Sequence, residues 1–131
     1  MTITRIDHIQ LVVKDLARSL EFYGDILGLK QLSSVNLGNH ILHYFLISSN
    51  QRLELNEYLY PTRDSVSELK DRGTWRHLAF EVSDAFAVEK LLEEHGYHFH
   101  MPVALDEALH VYSGLVLDPN GVELEFLQHI S

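Results

Sequence analysis

The chain states one design twice. Arg5-Ile6-Asp7-His8-Ile9-Gln10-Leu11-Val12-Val13 leads to Asp15, and Arg76-His77-Leu78-Ala79-Phe80-Glu81-Val82 leads to Asp84, so each histidine has an aspartate seven positions on. Each aspartate opens a stretch with helical periodicity that stops at a glycine, Gly28 in the first half and Gly96 in the second. A glutamate then follows at nearly the same distance from each histidine, Glu54 after His8 and Glu125 after His77. The fold must therefore be two related halves, each offering one imidazole and one carboxylate.

The elements within each half follow from periodicity. Ile9, Leu11 and Val13 alternate with His8, Gln10 and Val12, which predicts a strand over 5–13. Asp15 can cap a helix from Leu16 to about Leu27, with Leu16, Leu20, Tyr23 and Leu27 on one face. Strands are predicted at about 30–36, 41–47 and 52–57, separated by the turn residues Gly38-Asn39 and Ser48-Ser49-Asn50. The second half repeats the order: strand 76–82, helix 85–95 with Val88, Leu91, Leu92 and His95 on one face, then strands at 97–103, 110–117 and 122–128. The reading is α+β: two tandem β-α-β-β-β modules, module one about 4–57 and module two about 75–129, within a single domain 1–131. The linker, about 58–74, carries Pro61 and Gly73 and a possible short helix opened by Ser65 with Glu68 three residues on.

Strand parity places four residues together in kind. Side chains on a strand alternate faces, so His8 opposes Ile9 and Leu11, His77 opposes Leu78 and Phe80, Glu54 opposes Leu53 and Leu55, and Glu125 opposes Leu124 and Phe126. A single polar residue opposite an apolar strand face is ordinary solvated surface. Four that share parity and a duplicated spacing form a coherent donor set, and two imidazoles with two carboxylates suit one divalent ion such as Zn, Ni, Co, Mn or Fe. Glu123 shares parity with Glu125 and competes for the fourth position, which the repeat assigns to Glu125. His40, His43, His95, His98, His100, His110 and His129 lack such support.

Composition excludes several classes of partner. The chain has 131 residues, 46% of them apolar, and no run long enough to span a membrane, so one soluble domain is expected. The formal charge of −9, with nineteen acids against ten Lys and Arg, disfavours nucleic acid. The absence of cysteine removes disulfides and thiolate ligands. Met1-Thr2-Ile3-Thr4-Arg5 has no basic flank before an apolar stretch, so a secretory signal is not expected and a cytoplasmic location is the default.

Asp7-His8-Ile9, Asp15-Leu16-Ala17-Arg18-Ser19-Leu20-Glu21-Phe22-Tyr23, Leu27-Gly28-Leu29, His77-Leu78-Ala79-Phe80-Glu81-Val82 and Leu117-Asp118-Pro119-Asn120-Gly121-Val122-Glu123-Leu124-Glu125 together resemble the vicinal oxygen chelate superfamily. That group includes glyoxalase I, bleomycin and fosfomycin resistance proteins, methylmalonyl-CoA epimerase and extradiol dioxygenases. The resemblance implies two β-α-β-β-β modules whose mostly antiparallel sheets curl into a cup, helices outside, around one divalent ion, often in a homodimer. By position it implies the metal ligands His8, Glu54, His77 and Glu125, a set most similar to glyoxalase I.

The activity so implied is a metal-dependent lyase or isomerase that shifts a proton between adjacent oxygen-bearing carbons of a small chelating substrate through an enediolate. Glu125 is the first candidate for the base and Glu54 the second. Two alternatives are an Fe(II) extradiol-type dioxygenase using His8, His77 and Glu125 with Tyr112 near the pocket, and a metal-independent drug-binding resistance protein. The glyoxalase I pattern has an arginine four residues after the first ligand, where it anchors the glutathione carboxylate. Here that position is Val12.

Overall fold

A computed structural model describes residues 1–65 and 71–131. It divides into two compact units, Met1–Asp64 and Ser65–Ser131. The predicted cap of a short helix at Ser65 depends on Glu68, which lies outside the described residues.

In the first unit, β1 (His8–Val12) is followed by α1 (Leu16–Leu20), then β2 (Lys30–Asn36), β3 (His40–Ser48) and β4 (Gln51–Tyr58). The sheet order is β1-β4-β3-β2, with β1 parallel to β4 and the other pairs antiparallel. The second unit repeats this with β5 (Leu78–Glu81), α2 (Ala85–Glu94), β6 (Phe99–Asp106), β7 (Val111–Leu117) and β8 (Glu123–His129), in the order β5-β8-β7-β6. The duplicated spacing is thus a duplicated topology. It places β1, which opens with His8, beside the strand of Glu54, and β5, which His77 immediately precedes, beside the strand of Glu125.

Both aspartates cap as expected. The Asp15 carboxylate accepts from the Arg18 amide at 3.1 Å and Asp84 from the Ala87 amide at 3.1 Å, satisfying donors that a helix start leaves unpaired.

The first helix departs from the expected regular α-helix. After Leu20 the chain widens into a π-helical segment over Glu21–Ile26, closed by a bond from the Leu27 amide to the Phe22 carbonyl at 2.9 Å. The wider turn allows consecutive Phe22 and Tyr23 both to be fully buried, with Ser19 beside them, where the predicted face had included Tyr23 alone of the three. Complete burial of each large side chain contributes on the order of 1.5–3 kcal/mol. In α2 the buried residues are Ala85 and Leu92, while Leu91 and His95 are exposed, a correction to the predicted face. The exposed His95 accepts the end-of-helix role instead, its Nδ1 lying 2.9 Å from the Leu91 carbonyl.

Two local devices shape the second sheet. Asp118, itself buried, accepts from the amides of Asn120 and Val122 at 2.8 Å each, which folds the Asp118-Pro119-Asn120-Gly121 turn tightly into β8. Strand β6 is irregular: Phe99 pairs with Val116 and Met101 with Leu115, so His100 is an extra, bulged residue. Carboxylates of α2 take amides of that strand, Glu93 that of Phe99 at 2.9 Å and Glu89 that of Val103 at 2.8 Å.

Candidate metal centre

In the first unit the ladder sets His8 beside Arg52 and Gln10 beside Glu54, so His8 and Glu54 lie diagonally on one face. His8 Nδ1 is 3.2 Å from Glu54 Oε2 and 2.7 Å from Asp7 Oδ1, and Asp7 takes the hydrogen bond. Asp7, His8 and Glu54 each offer a ligand atom, all within 4.8 Å of one another. The hydrogen bond with His8 and the positive charges of Arg5 and Arg52 hold the Asp7 carboxyl below its ordinary value.

Glu54 is only 4% exposed, a burial that strand alternation by itself does not report. Leu53 and Leu55 on the other side of β4 are fully buried as well, so this central strand is covered on both faces. A buried carboxylate needs partners. Gln10 Nε2 donates to Glu54 Oε1 at 3.1 Å, and Asn56 Nδ2 in turn donates to Gln10 Oε1 at 2.9 Å.

In the second unit Ala79 lies beside Glu125, so His77 and Glu125 occupy the places that His8 and Glu54 hold in the first. His77 Nε2 is 3.9 Å from Glu125 Oε1. That is too long for a hydrogen bond. It is close to the separation of about 3–4 Å that two donors have when each sits near 2.1 Å from one ion. The structure thus brings His8 to Glu54 and His77 to Glu125, each pair within its own unit.

Glu123 has a role that parity alone did not reveal. Its side chain is 1% exposed, and it accepts from Arg76 Nε at 3.1 Å, His77 Nδ1 at 3.2 Å and His100 Nε2 at 3.1 Å. Burial pushes its carboxyl up, but the hydrogen bonds from His100, His77 and Arg76 outweigh burial and hold it below the ordinary glutamate value. The matched parity of Glu123 and Glu125 was the visible signal. Nothing in the alternation of β6 pointed to His100, the bulged residue that faces this carboxylate.

Tyr112 does not share the face of Glu125. Its register neighbours Leu105 and Gln128 place it on the side of β7 opposite Leu115, which pairs with Glu125, and its ring stands edge-on to Phe86 of α2 at 5.3 Å. Placing Tyr112 near the pocket is therefore incorrect. His43 forms a separate group, its Nδ1 2.9 Å from Ser34 Oγ and its Nε2 3.1 Å from Glu57 Oε1, on the face of β3 that bears Phe45. None of the four candidate ligands lines the broad surface groove along β6 formed by Met101, Pro102, Leu105 and Ser113.

The model of the glyoxalase/bleomycin resistance protein/dioxygenase superfamily matches residues 5–126. The chain belongs to this superfamily. Members of the superfamily commonly bind a divalent metal, and the imidazole–carboxylate pair in each unit is chemically suited to one. The superfamily protein from Enterococcus faecalis, described as a glyoxalase family protein, is 25% identical, with 97% of this chain and 99% of that one covered and a TM-score of 0.76. The trypanothione-dependent glyoxalase I of Leishmania major is 26% identical, with 96% and 87% covered and a TM-score of 0.71. A glyoxalase family protein of Bacillus cereus shares the fold at 16% identity, with 100% and 97% covered and a TM-score of 0.84. No curated protein matches the chain. Among the described residues, no helix of this superfamily member is long and apolar enough to cross a membrane.

Proposed function

We propose that the protein is a divalent-metal-dependent lyase or isomerase of the glyoxalase I type, with His8, Glu54, His77 and Glu125 as the ligand set and a small chelating molecule as substrate. The reading is supported by the repeat of one imidazole and one carboxylate in each unit, and by the likeness to the glyoxalase I of Leishmania major. A divalent ion held by these residues would supply Lewis acidity to two neighbouring oxygens of a substrate and so make the adjacent carbon-bound proton more acidic.

One observation separates the two carboxylates. Glu54 is buried and tied to Gln10, whereas Glu125 is partly exposed and its one polar neighbour among the described residues is His77 at 3.9 Å. Glu125 is therefore free to take the proton from one carbon and return it to the next, and Glu54 serves as a fixed ligand. The exposed Val12, paired in register with Asn56 and on the face of His8, offers an apolar contact where an arginine would favour a carboxylate. The substrate is accordingly a thiol adduct without a carboxylate at that point, or another small molecule with two adjacent oxygens.

The test is isomerisation of hemithioacetals formed from a 2-oxoaldehyde with glutathione and with 2-mercaptoethanol, after reconstitution with each of Zn, Ni, Co, Mn and Fe. The expected result is metal-dependent turnover that does not require the glutathione carboxylates and falls by about 10²–10⁴ in Glu125→Gln. Turnover that needs no metal, or full activity in Glu125→Gln, would overturn the assignment, and absence of turnover with every ion would exclude hemithioacetals as the substrate.

A further inference from the structure

The two units arrange an acid and an arginine around the candidate imidazole in opposite ways. In the first, the acid Asp7 precedes the histidine in sequence and Arg52 lies beside it on the neighbouring strand. In the second, Arg76 precedes the histidine and the acid Glu123 lies one residue before Leu124, the ladder partner of Leu78. The acid and the arginine have exchanged places, yet the pairing survives: Arg52 Nη2 is 3.6 Å from Asp7 Oδ1, and Arg76 Nε is 3.1 Å from Glu123 Oε1. In both units Nδ1 of the imidazole faces the acid, although in the first unit the same atom also lies 3.2 Å from Glu54 Oε2, whereas His77 turns Nε2 to Glu125. His8 Nδ1 meets Asp7 at 2.7 Å, and His77 Nδ1 meets Glu123 at 3.2 Å.

We propose that Asp7 and Glu123 are equivalent positioning residues, each held by an arginine, that fix His8 and His77 as Nδ1–H tautomers and leave both Nε2 atoms free as metal donors. An ionised carboxylate only accepts, so the nitrogen it faces must carry the hydrogen. The neutral ring then has its lone pair on Nε2, and in His77 that atom is the one nearest Glu125. Asp7 thus belongs to the site as the orienter of His8 rather than as a third ligand beside Glu54. His100 completes the arrangement in the second unit by occupying the other oxygen of Glu123. A carboxylate behind a ligating histidine stiffens the ring and raises its basicity, and losing it typically weakens metal binding by about 10–100-fold.

The inference rests on the metal-site reading for its purpose, but its geometry can be tested without metal. Nitrogen-15 NMR of the metal-free protein, at about pH 8.5 where imidazoles are neutral, reads the tautomer of each ring directly. The expected result is Nδ1–H for His8 and His77 alike. In Asp7→Ala the His8 ring, and in Glu123→Ala the His77 ring, should gain the Nε2–H form, with zinc affinity down by about 10–100-fold. Glu123→Gln, whose amide oxygen still accepts, should keep the His77 tautomer. A predominant Nε2–H form at either ring in the unaltered protein would overturn the proposal, as would an Asp7→Ala variant with unchanged tautomer and affinity. Asp7 is exposed, so that variant folds independently of how the buried Glu123 position responds to truncation. If the unaltered protein binds no zinc, the metal-site reading fails, while the tautomers still decide the role of the two acids.

Discussion

Glu54 accepts a hydrogen bond from Gln10 across the parallel strands, and this contact sets the direction of a polar chain whose two ends, Glu54 and Asn56, are buried. A carboxylate can only accept, so Gln10 must turn its amide nitrogen to Glu54 and its oxygen to Asn56. Asn56 then has to donate, and its Oδ1 is left buried without a partner. Asn56→Asp should therefore cost about 1–3 kcal/mol, because two acceptors would face each other. Asn56→Leu, which removes the unpaired oxygen, should cost less. Urea unfolding of the two variants ranks them, and the reverse order would contradict the direction of the chain.

Phe22 and Tyr23 are buried together where the helix widens after Leu20. Phe22→Ala should destabilise the protein by about 3–5 kcal/mol, as expected for a large buried aromatic. A loss below about 1 kcal/mol in thermal or urea unfolding would show that this side chain is not part of the core.

Gly114 is required by a close approach in the second sheet. A Cβ there would stand 2.8 Å from Val103 Cγ2 and 3.0 Å from the Met101 carbonyl oxygen, and that oxygen belongs to backbone that cannot turn away. Gly114→Ala should cost about 1–3 kcal/mol through overpacking. Unchanged stability in the same unfolding assay would mean that β6 shifts freely.

Glu93 supplies a pH dependence whose sign follows from its bonding. The amide of Phe99 and the ring of His98 hold its carboxyl below the ordinary value of 4.5, even against the cost of burial. Its stabilisation is complete above that value and is lost as pH falls through the lower folded value. Stability followed from neutral to acid pH should drop in that range, and Glu93→Gln should flatten the drop. An unchanged acid profile in the variant would assign the effect to other carboxylates.

Much of this was legible in the sequence because the signals were periodic. The repeat from His8 to Glu54 and from His77 to Glu125 foretold two units of one topology, and alternation placed Glu54 and Glu125 opposite leucines and phenylalanine as found. Alternation reports which face a residue takes, but not whether another layer covers that face, so the burial of Glu54 was hidden. A four-residue helical spacing could not anticipate the π-helical segment that buries Phe22 beside Tyr23. His100 escaped notice because a bulge is an irregularity in the very pattern used to read strands. Tyr112 was misplaced for a simpler reason: its face depends on pairing with β8, which fixes it opposite Leu115.

The central claim is that imidazole and carboxylate from both units bind one ion. Metal analysis of protein purified without a histidine tag, combined with competitive zinc titration of Glu54→Ala and Glu125→Ala, tests it most directly. One divalent ion per chain, with affinity falling at least about tenfold in each variant, is the predicted result. No stoichiometric ion, or an affinity that either variant leaves unchanged, would contradict it.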